Sequence, residues 1–410
     1  MKQSRKNNIL ILEPRTDGHH GPYLQWMATG LVKRGFHVTV ITSPDSLSHP
    51  SIQAIEAAAR ADNDTVLNLI TAESSFVDGT NRSDSTSGLL TRELAYWRLF
   101  RRWYRAHVGG VRPDVVFLPY LDYCLHAVGL LGSPFGDCPW VGLAMRPSFH
   151  YRRMGVIAPR PPLGALKKAL FMRLLRNRHL RRLLTIDEPL AQYLAASPKL
   201  ASKATFFPEP AELGRLPNPS DAKQRLGVPV GRKLILIYGA ITARKGVLEL
   251  LHAMLTPGFP VAMDILLAGK IDAEVNKILR SKAIVPLVAQ GRVHVLNRFI
   301  EATEEPYLFA AADAVWVGYR GHYGSSGVLM QAIYSGRPVI ACQEGVLGWL
   351  TERYSLGNVV CPSDAYSVVR GVQSLAGCSE GERTARAYID RPIVCSFESA
   401  VESLSEVMSG

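Results

Sequence analysis

The sequence predicts an α/β protein made of two successive Rossmann-like βαβ domains. Three observations carry this prediction. Short apolar strands alternate with helical patterns through the first half, a proline-punctuated stretch interrupts them, and the same alternation then restarts. The 410 residues, 47% of them hydrophobic and 20% charged, are enough for two to three domains of about 100–200 residues each. That composition excludes a disordered chain, a collagen and a small disulfide scaffold.

Ile9-Leu10-Ile11-Leu12 is a continuous apolar run, as a parallel strand buried on both faces requires. Asp17-Gly18-His19-His20-Gly21-Pro22 is a loop by composition, and Leu24, Met27, Ala28, Leu31 and Val32 follow helical spacing up to a stop at Gly35. His37–Thr42 is the next strand. Further strands are expected at Asp114–Leu118, Trp140–Leu143 and Leu183–Ile186, and the polar, glycine-containing stretch Ser74–Ser87 reads as a mobile loop.

Pro208, Pro210, Pro217, Pro219 and Pro229 then punctuate a polar stretch, the best linker in the chain. After it come a strand at Leu234–Tyr238, a loop over Gly239–Lys245 and a helix over Val247–Met254. Strands follow at Met263–Leu267, Val293–Leu296, Ala314–Val317 and Pro338–Ala341. The expected domains are residues 1–207 and 231–387, joined by a linker over 208–230, with a C-terminal helix from about 388 to 410 packing back on the first domain.

The residues before Ile9 lead into an apolar run too short for a signal-peptide core, and no stretch approaches the roughly 20 apolar residues that span a bilayer. A cytoplasmic protein is expected. The six cysteines, at 124, 138, 342, 361, 378 and 395, form no Cys-x-x-Cys pair, which points to reduced thiols and no structural metal.

The net charge of +12 is concentrated. Between Cys138 and Thr185 there are eleven Arg or Lys and no acidic residue, while the other 36 basic residues balance 35 acidic ones. Residues Leu163–Leu184 read as a helix with Lys167, Lys168, Arg178, Arg181 and Arg182 on one side and leucines on the other. A second stretch places Arg98, Arg101, Arg102 and Arg105 opposite Tyr96, Leu99, Phe100 and Trp103. A solvated basic face over a packed core is one reading of these patterns. Attachment to an anionic membrane surface through Arg146–Arg182 accounts better for the local excess. No nucleic-acid-binding module is present, so nucleic acid is not an expected partner.

Neither predicted sheet carries Gly-x-Gly-x-x-Gly after its first strand, and there is no phosphate-loop Gly-x-x-x-x-Gly-Lys-Ser/Thr. Dinucleotide oxidoreductases and P-loop kinases are thereby disfavoured. Asp62-Asn63-Asp64 resembles a metal clamp but reads as a solvated loop. Gly239–Gly246, with Arg244 and Lys245, links a strand to a helix at the carboxyl edge where open α/β sheets bind ligands, and two cations there suit a diphosphate. Gly324–Ala341 is loop, helix and strand in one run. Ser325 or Ser326 can cap that helix, Gly327 admits a close ligand, and the positive helix start favours phosphate.

These elements together resemble the GT-B glycosyltransferases, close to the retaining family 4 enzymes (glycosyl transferases group 1). The resemblance rests on the opening strand–loop–helix ending in Arg34–Val38, on Lys245-Gly246, on Ala311–Ala314 and on Ser335–Ala341. Three positions depart from the family pattern. Tyr323 and Gln331 stand where its signature has two glutamates, and Ala240 stands where an Arg is usual.

The resemblance implies the GT-B fold, two Rossmann-like domains facing a cleft, and sugar transfer from a nucleotide-sugar donor to a saccharide or lipid-linked acceptor. It implies a retaining, metal-independent reaction with no cofactor. The donor site it implies comprises Gly239, Arg244, Lys245, Arg298, Phe299, Tyr323, Ser325, Ser326, Gly327, Val328 and Gln331. In the first domain His19, His20, Asp122, Arg146 and His150 are the catalytic candidates. A GT-B nucleotide-sugar isomerase and a non-catalytic nucleotide-sugar-binding subunit are the alternative readings.

Overall fold

The computed structural model describes residues 7–18, 20–61, 67–74, 86–376 and 393–409. The candidate His19, the Asp62-Asn63-Asp64 motif, Cys378 and most of the expected loop at Ser74–Ser87 lie outside them. The chain divides into two compact units. One comprises Met1–Tyr151, Pro159–Pro208 and Phe397–Gly410, and the other comprises Arg152–Ala158 and Glu209–Ser396.

The first unit holds seven parallel strands: β1 Asn8–Leu12, β2 His37–Thr42, β3 Leu67–Thr71, β4 Val115–Leu118, β5 Trp140–Ala144, β6 Leu180–Thr185 and β7 Ala204–Phe206. Their order is β3-β2-β1-β4-β5-β6-β7. The chain thus winds outward in both directions from β1 and β4, and the order reverses between those two strands. Central strands β4 and β5 are buried throughout, which is why they read as unbroken apolar runs. Edge strand β3, Leu-Asn-Leu-Ile-Thr, is mostly exposed and carries no such signal.

In the second unit, β8 Glu209–Pro210 pairs with the late strand β15 Val394–Cys395. The main sheet comprises β9 Lys233–Tyr238, β10 Met263–Ala268, β11 Val293–Leu296, β12 Ala314–Val317, β13 Val339–Cys342 and β14 Gly357–Val360. Its order is β11-β10-β9-β12-β13-β14, all parallel, so here the reversal falls between β9 and β12. Its core gathers Ile235, Ile237, Leu250, Leu251, Ile265, Leu267 and Trp316. Arg152–Ala158 joins this unit by hydrogen bonds, with Gly345 N–H donating to the Ile157 carbonyl and Trp349 Nε1 donating to that of Met154.

One local reading needs correction. The basic stretch Leu163–Leu184 is not one helix. A helix runs only over Gly164–Leu175, and Arg181 and Arg182 belong to β6, where they donate to the carbonyls of Met408 and Ser202. The linker stretch 208–230 contains β8 and a helix at Pro219–Arg225, started by the Asn218 side chain accepting from Ser220 N–H. The arginine–aromatic stretch lies in the helix Thr86–Val108, whose Tyr96, Leu99, Phe100 and Trp103 are buried, so those aromatics are core.

The C-terminal helix Phe397–Ser409 lies against the helix His20–Lys33. A Cβ at Gly30 would sit 2.3 Å from a Val401 methyl.

Candidate functional site

In each unit the carboxyl edge at the point of strand reversal is where an open α/β sheet leaves a crevice for ligand. In the second unit, Tyr238 ends β9 and the chain turns through Gly239 into the tight turn Ala243–Lys245. Gly246 follows with φ 71°, and a Cβ there would lie 2.2 Å from the Gly318 carbonyl oxygen. Only glycine satisfies both constraints. Trp316 Nε1, reaching over from β12, donates to the Lys245 carbonyl at 2.8 Å and holds the turn against the neighbouring strand.

This turn delivers the Lys245 ammonium to the end of β9. It donates to the Tyr238 carbonyl, lies 3.3 Å from the Tyr319 hydroxyl and sits 5.0 Å from that ring's centre. Tyr319 packs edge-on against His322, whose Nε2 lies 2.8 Å from the Ser325 carbonyl. An unbroken chain of contacts therefore runs from Lys245 to the start of the helix Gly327–Tyr334. Arg244, in the same turn, is exposed.

That helix start differs from the expected cap. Ser326 is the N-cap residue, but neither serine side chain caps the helix, and the Ser325 hydroxyl donates to Glu209 at 3.0 Å. The other Glu209 oxygen would lie 3.5 Å from a Cβ on Gly327. A carboxylate of the chain itself thus stands where the helix dipole favours an anion. Gly336, with φ 67°, follows the helix end as expected.

Gln331 lies within the helix, and its Nε2 donates to Glu305 at 2.9 Å. The other oxygen of Glu305 accepts from the Tyr238 hydroxyl at 2.5 Å. Burial pushes the Glu305 carboxyl above its usual range, opposed by these two donors. Tyr323 is half-buried, its carbonyl accepts from Val346 N–H, and burial raises its phenol, with Glu344 adding to the rise. Val328 is half-buried in the helix's first turn. Arg298 is engaged by both Glu304 oxygens at 2.6 Å, and Phe299 is 74% exposed. A separate cavity of about 490 Å³ lies at the opposite, amino-terminal edge of the sheet, where Lys223 and Asp313 line it as an ion pair.

In the first unit the reversal between β1 and β4 gathers a polar cluster. Glu13, the residue after β1, is 1% exposed, accepts from the Tyr123 hydroxyl at 2.9 Å and from Arg15 N–H, and lies 3.4 Å from His20 Nδ1. His20 opens its helix, packs edge-on against Tyr120 at 4.5 Å and stacks on Tyr123. Arg146 is exposed, with its guanidinium over the Tyr120 ring at 5.3 Å.

Two of the first-domain candidates are engaged by hydrogen-bond partners within their unit. The Asp122 carboxylate accepts from Met145 and Arg146 N–H at 2.7 and 2.9 Å, which ties the end of β4 to the end of β5; burial raises its pKa against those donors. His150 faces the interior of its unit. It is 1% exposed, with Nε2 3.2 Å from Asp187, and Asp187 in turn accepts from Tyr151 and caps the helix Glu188–Ala195.

Tyr238, Glu305, Tyr319 and Glu209 in the second unit, and Glu13, Tyr120 and Tyr123 in the first, escaped the sequence reading. A carboxylate directly after a buried strand, as at Glu13, is the one signal that marked any of them.

No protein-family model matches the chain, and no curated protein matches it. Solved structures do. Sucrose-phosphate synthase (tll1590) from Thermosynechococcus elongatus is 17% identical, with a TM-score of 0.66 over 98% of this chain and 97% of that one. Anabaena Alr3699/HepE, solved in complex with UDP, is 14% identical with a TM-score of 0.65, over 98% of this chain and 99% of that one. WaaG, a glycosyltransferase involved in lipopolysaccharide biosynthesis, is 15% identical with a TM-score of 0.61, over 98% of this chain and 100% of that one. What this likeness establishes is the fold: two Rossmann-like α/β domains of the GT-B type.

Proposed function

We propose that this protein is a glycosyltransferase that moves a sugar from a nucleotide-sugar donor to a saccharide or lipid-linked acceptor, with retention and without a metal. The observation that carries the reading is in the second unit. One lysine ammonium and one helix start are joined through Tyr319, His322 and Ser325 at the carboxyl edge, beside the strand reversal. Both features suit a diphosphate. Gln331 and Glu305 stand side by side as an amide and a carboxylate for the ribose hydroxyls. The UDP held by Anabaena HepE supports a nucleotide donor.

In the reaction, the bond from the anomeric carbon to the diphosphate oxygen breaks and one to the acceptor oxygen forms. The acceptor's proton passes to the departing diphosphate. The protein's work is then to position both substrates and to neutralise the charge that develops on the diphosphate. Lys245 and the backbone amides at Gly327 do this without a carboxylate base. In the first unit, the Glu13–His20–Tyr123 cluster offers hydrogen bonds to a hydroxyl-rich ligand.

Thermal-shift titration with UDP, GDP, ADP and TDP tests the reading. The correct nucleotide at about 100 times its Kd adds about 2.7 kcal/mol of stability, and stabilisation by none of them contradicts it. Binding without turnover would make the chain a non-catalytic subunit. Donor turnover without any acceptor would make it an isomerase.

A further inference from the structure

We infer that the cavity at the amino-terminal edge of the second unit's sheet binds a small phosphate monoester, at a site separate from the Lys245 turn. Its volume of about 490 Å³ lies in the range of small-molecule pockets and leaves room for an organic body beside the phosphate. Sheet order builds it. The neighbouring strands β9, β12 and β13 each bring a charged residue at or shortly before their amino ends, namely Lys233, Asp313 and Arg337. Lys223, from the helix Pro219–Arg225, and Arg232 complete the charged lining. Four of these five groups are cations.

Charge balance decides the sign of the ligand. Asp313 accepts from Lys223 Nζ at 2.8 Å and from Leu234 N–H at 2.9 Å, so its charge is taken up within the wall. Asp264, behind the wall, is shared by Arg232 and Arg292. The helices Glu305–Ala311 and Gly327–Tyr334 end at this edge, and each terminus adds about half a negative charge. Five cations thus stand against two carboxylates and two helix ends, an excess of about two charges. Neutralising the helix ends alone would take one cation. A phosphate monoester, with about −1.5 to −2 charge at neutral pH, matches the excess, whereas a carboxylate meets only half of it. Arg337 supplies a planar fork and Lys233 a point charge for its oxygens. The exposed Asn218 and Ser220 offer polar partners to hydroxyls on the remainder of the ligand. The wall is set before a ligand arrives, since the Lys223 side chain is 9% exposed and its ammonium also donates to the Arg232 carbonyl. The inference does not depend on the transferase reading, because the Lys245 turn lies at the other end of β9.

Isothermal titration calorimetry with ribose 5-phosphate, inorganic phosphate and ribose tests the assignment on the full chain. Ribose 5-phosphate binds most tightly, inorganic phosphate more weakly and ribose not at all, and Lys245→Ala leaves these affinities unchanged. Lys233→Gln and Arg337→Gln each weaken ribose 5-phosphate about tenfold or more, as the loss of one charge-assisted bond requires. Ser220→Trp, at an exposed lining position, obstructs the cavity without altering charge and also weakens it. An unchanged melting temperature without ligand confirms that each variant is folded. Arg337 is half-buried, so Lys233→Gln and Ser220→Trp decide the matter if Arg337→Gln does not fold. No binding of either phosphate, full binding by the folded cavity variants, or loss of binding in Lys245→Ala overturns the inference. Sulfate binding as tightly as ribose 5-phosphate would also overturn it, as adventitious anion binding only.

Discussion

Replacing Lys245 by alanine removes the ammonium held at the end of β9. Two groups fix it there, the Tyr238 carbonyl and the Tyr319 hydroxyl with its ring. The lysine therefore meets a diphosphate with little rotamer freedom left to lose. A charge-assisted hydrogen bond to phosphate is worth about 1.5–3 kcal/mol, so the Kd for the cognate nucleoside diphosphate should rise about 10- to 150-fold. The cost to the fold is smaller, about 0.5–1 kcal/mol for the lost cation–ring contact. Tyr319→Phe, which keeps the ring and removes only the hydroxyl, should weaken binding several-fold less than Lys245→Ala. Isothermal titration calorimetry reads the affinities, and a melting curve on each variant checks the fold. An unchanged Kd in a folded Lys245→Ala protein would refute the assignment of this turn to phosphate.

Three further outcomes follow from the same geometry. Glu209 places its carboxylate at the start of the helix Gly327–Tyr334, so Glu209→Gln should tighten nucleoside-diphosphate binding about two- to fivefold, the scale of one charge at a helix terminus; weaker binding would contradict competition between carboxylate and phosphate. Gln331→Ala removes an uncharged partner and should cost about 0.5–1.5 kcal/mol in donor affinity, read in the same titration. Asp264 is buried, yet hydrogen bonds from Arg232 and Arg292, with His294 3.7 Å away, override that burial and bring its pKa to about 2 from the ordinary 3.8. A depressed carboxylate stabilises the fold fully above its unfolded pKa, and the benefit disappears as pH falls through its folded one. The wild type should therefore lose about 1–2 kcal/mol on this account between about pH 5 and pH 2. A pH-dependent melting series in which Asp264→Asn shows the same acid loss as wild type would contradict it.

The architecture was legible because parallel strands buried on both faces leave apolar runs, as in Leu234–Tyr238. Edge strands escaped for the same reason. Leu67–Thr71 alternates with solvent, and Gly357-Asn358 opens β14 without a branched residue. Leucines and arginines in Leu163–Leu184 fit a helical period, but the helix stops at Leu175 and the later leucines, at 180, 183 and 184, are core positions of β6. In the candidate site, the Gly239–Gly246 turn and the Gly324–Gly336 run were readable because turn chemistry is local. The partners of those segments were not. Glu305 and Gln331 are 26 residues apart, and Glu209 and Ser325 are 116 apart; only sheet order brings each pair together. His150 shows the converse limit, since its position after β5 says nothing about which way its ring turns, and the ring turns inward to Asp187.

The central claim is sugar transfer from a nucleotide donor bound at the Lys245 turn. Its most direct test incubates the purified chain with labelled nucleotide sugars and a membrane-derived saccharide and lipid extract, beside the Lys245→Ala variant. The account predicts label in an acceptor product together with stoichiometric nucleoside diphosphate from the wild type, and a loss of at least about tenfold in that rate from the variant, as its binding deficit requires. Transfer that proceeds at the wild-type rate without Lys245, or no transfer from any donor by a chain that binds the nucleotide, would contradict it.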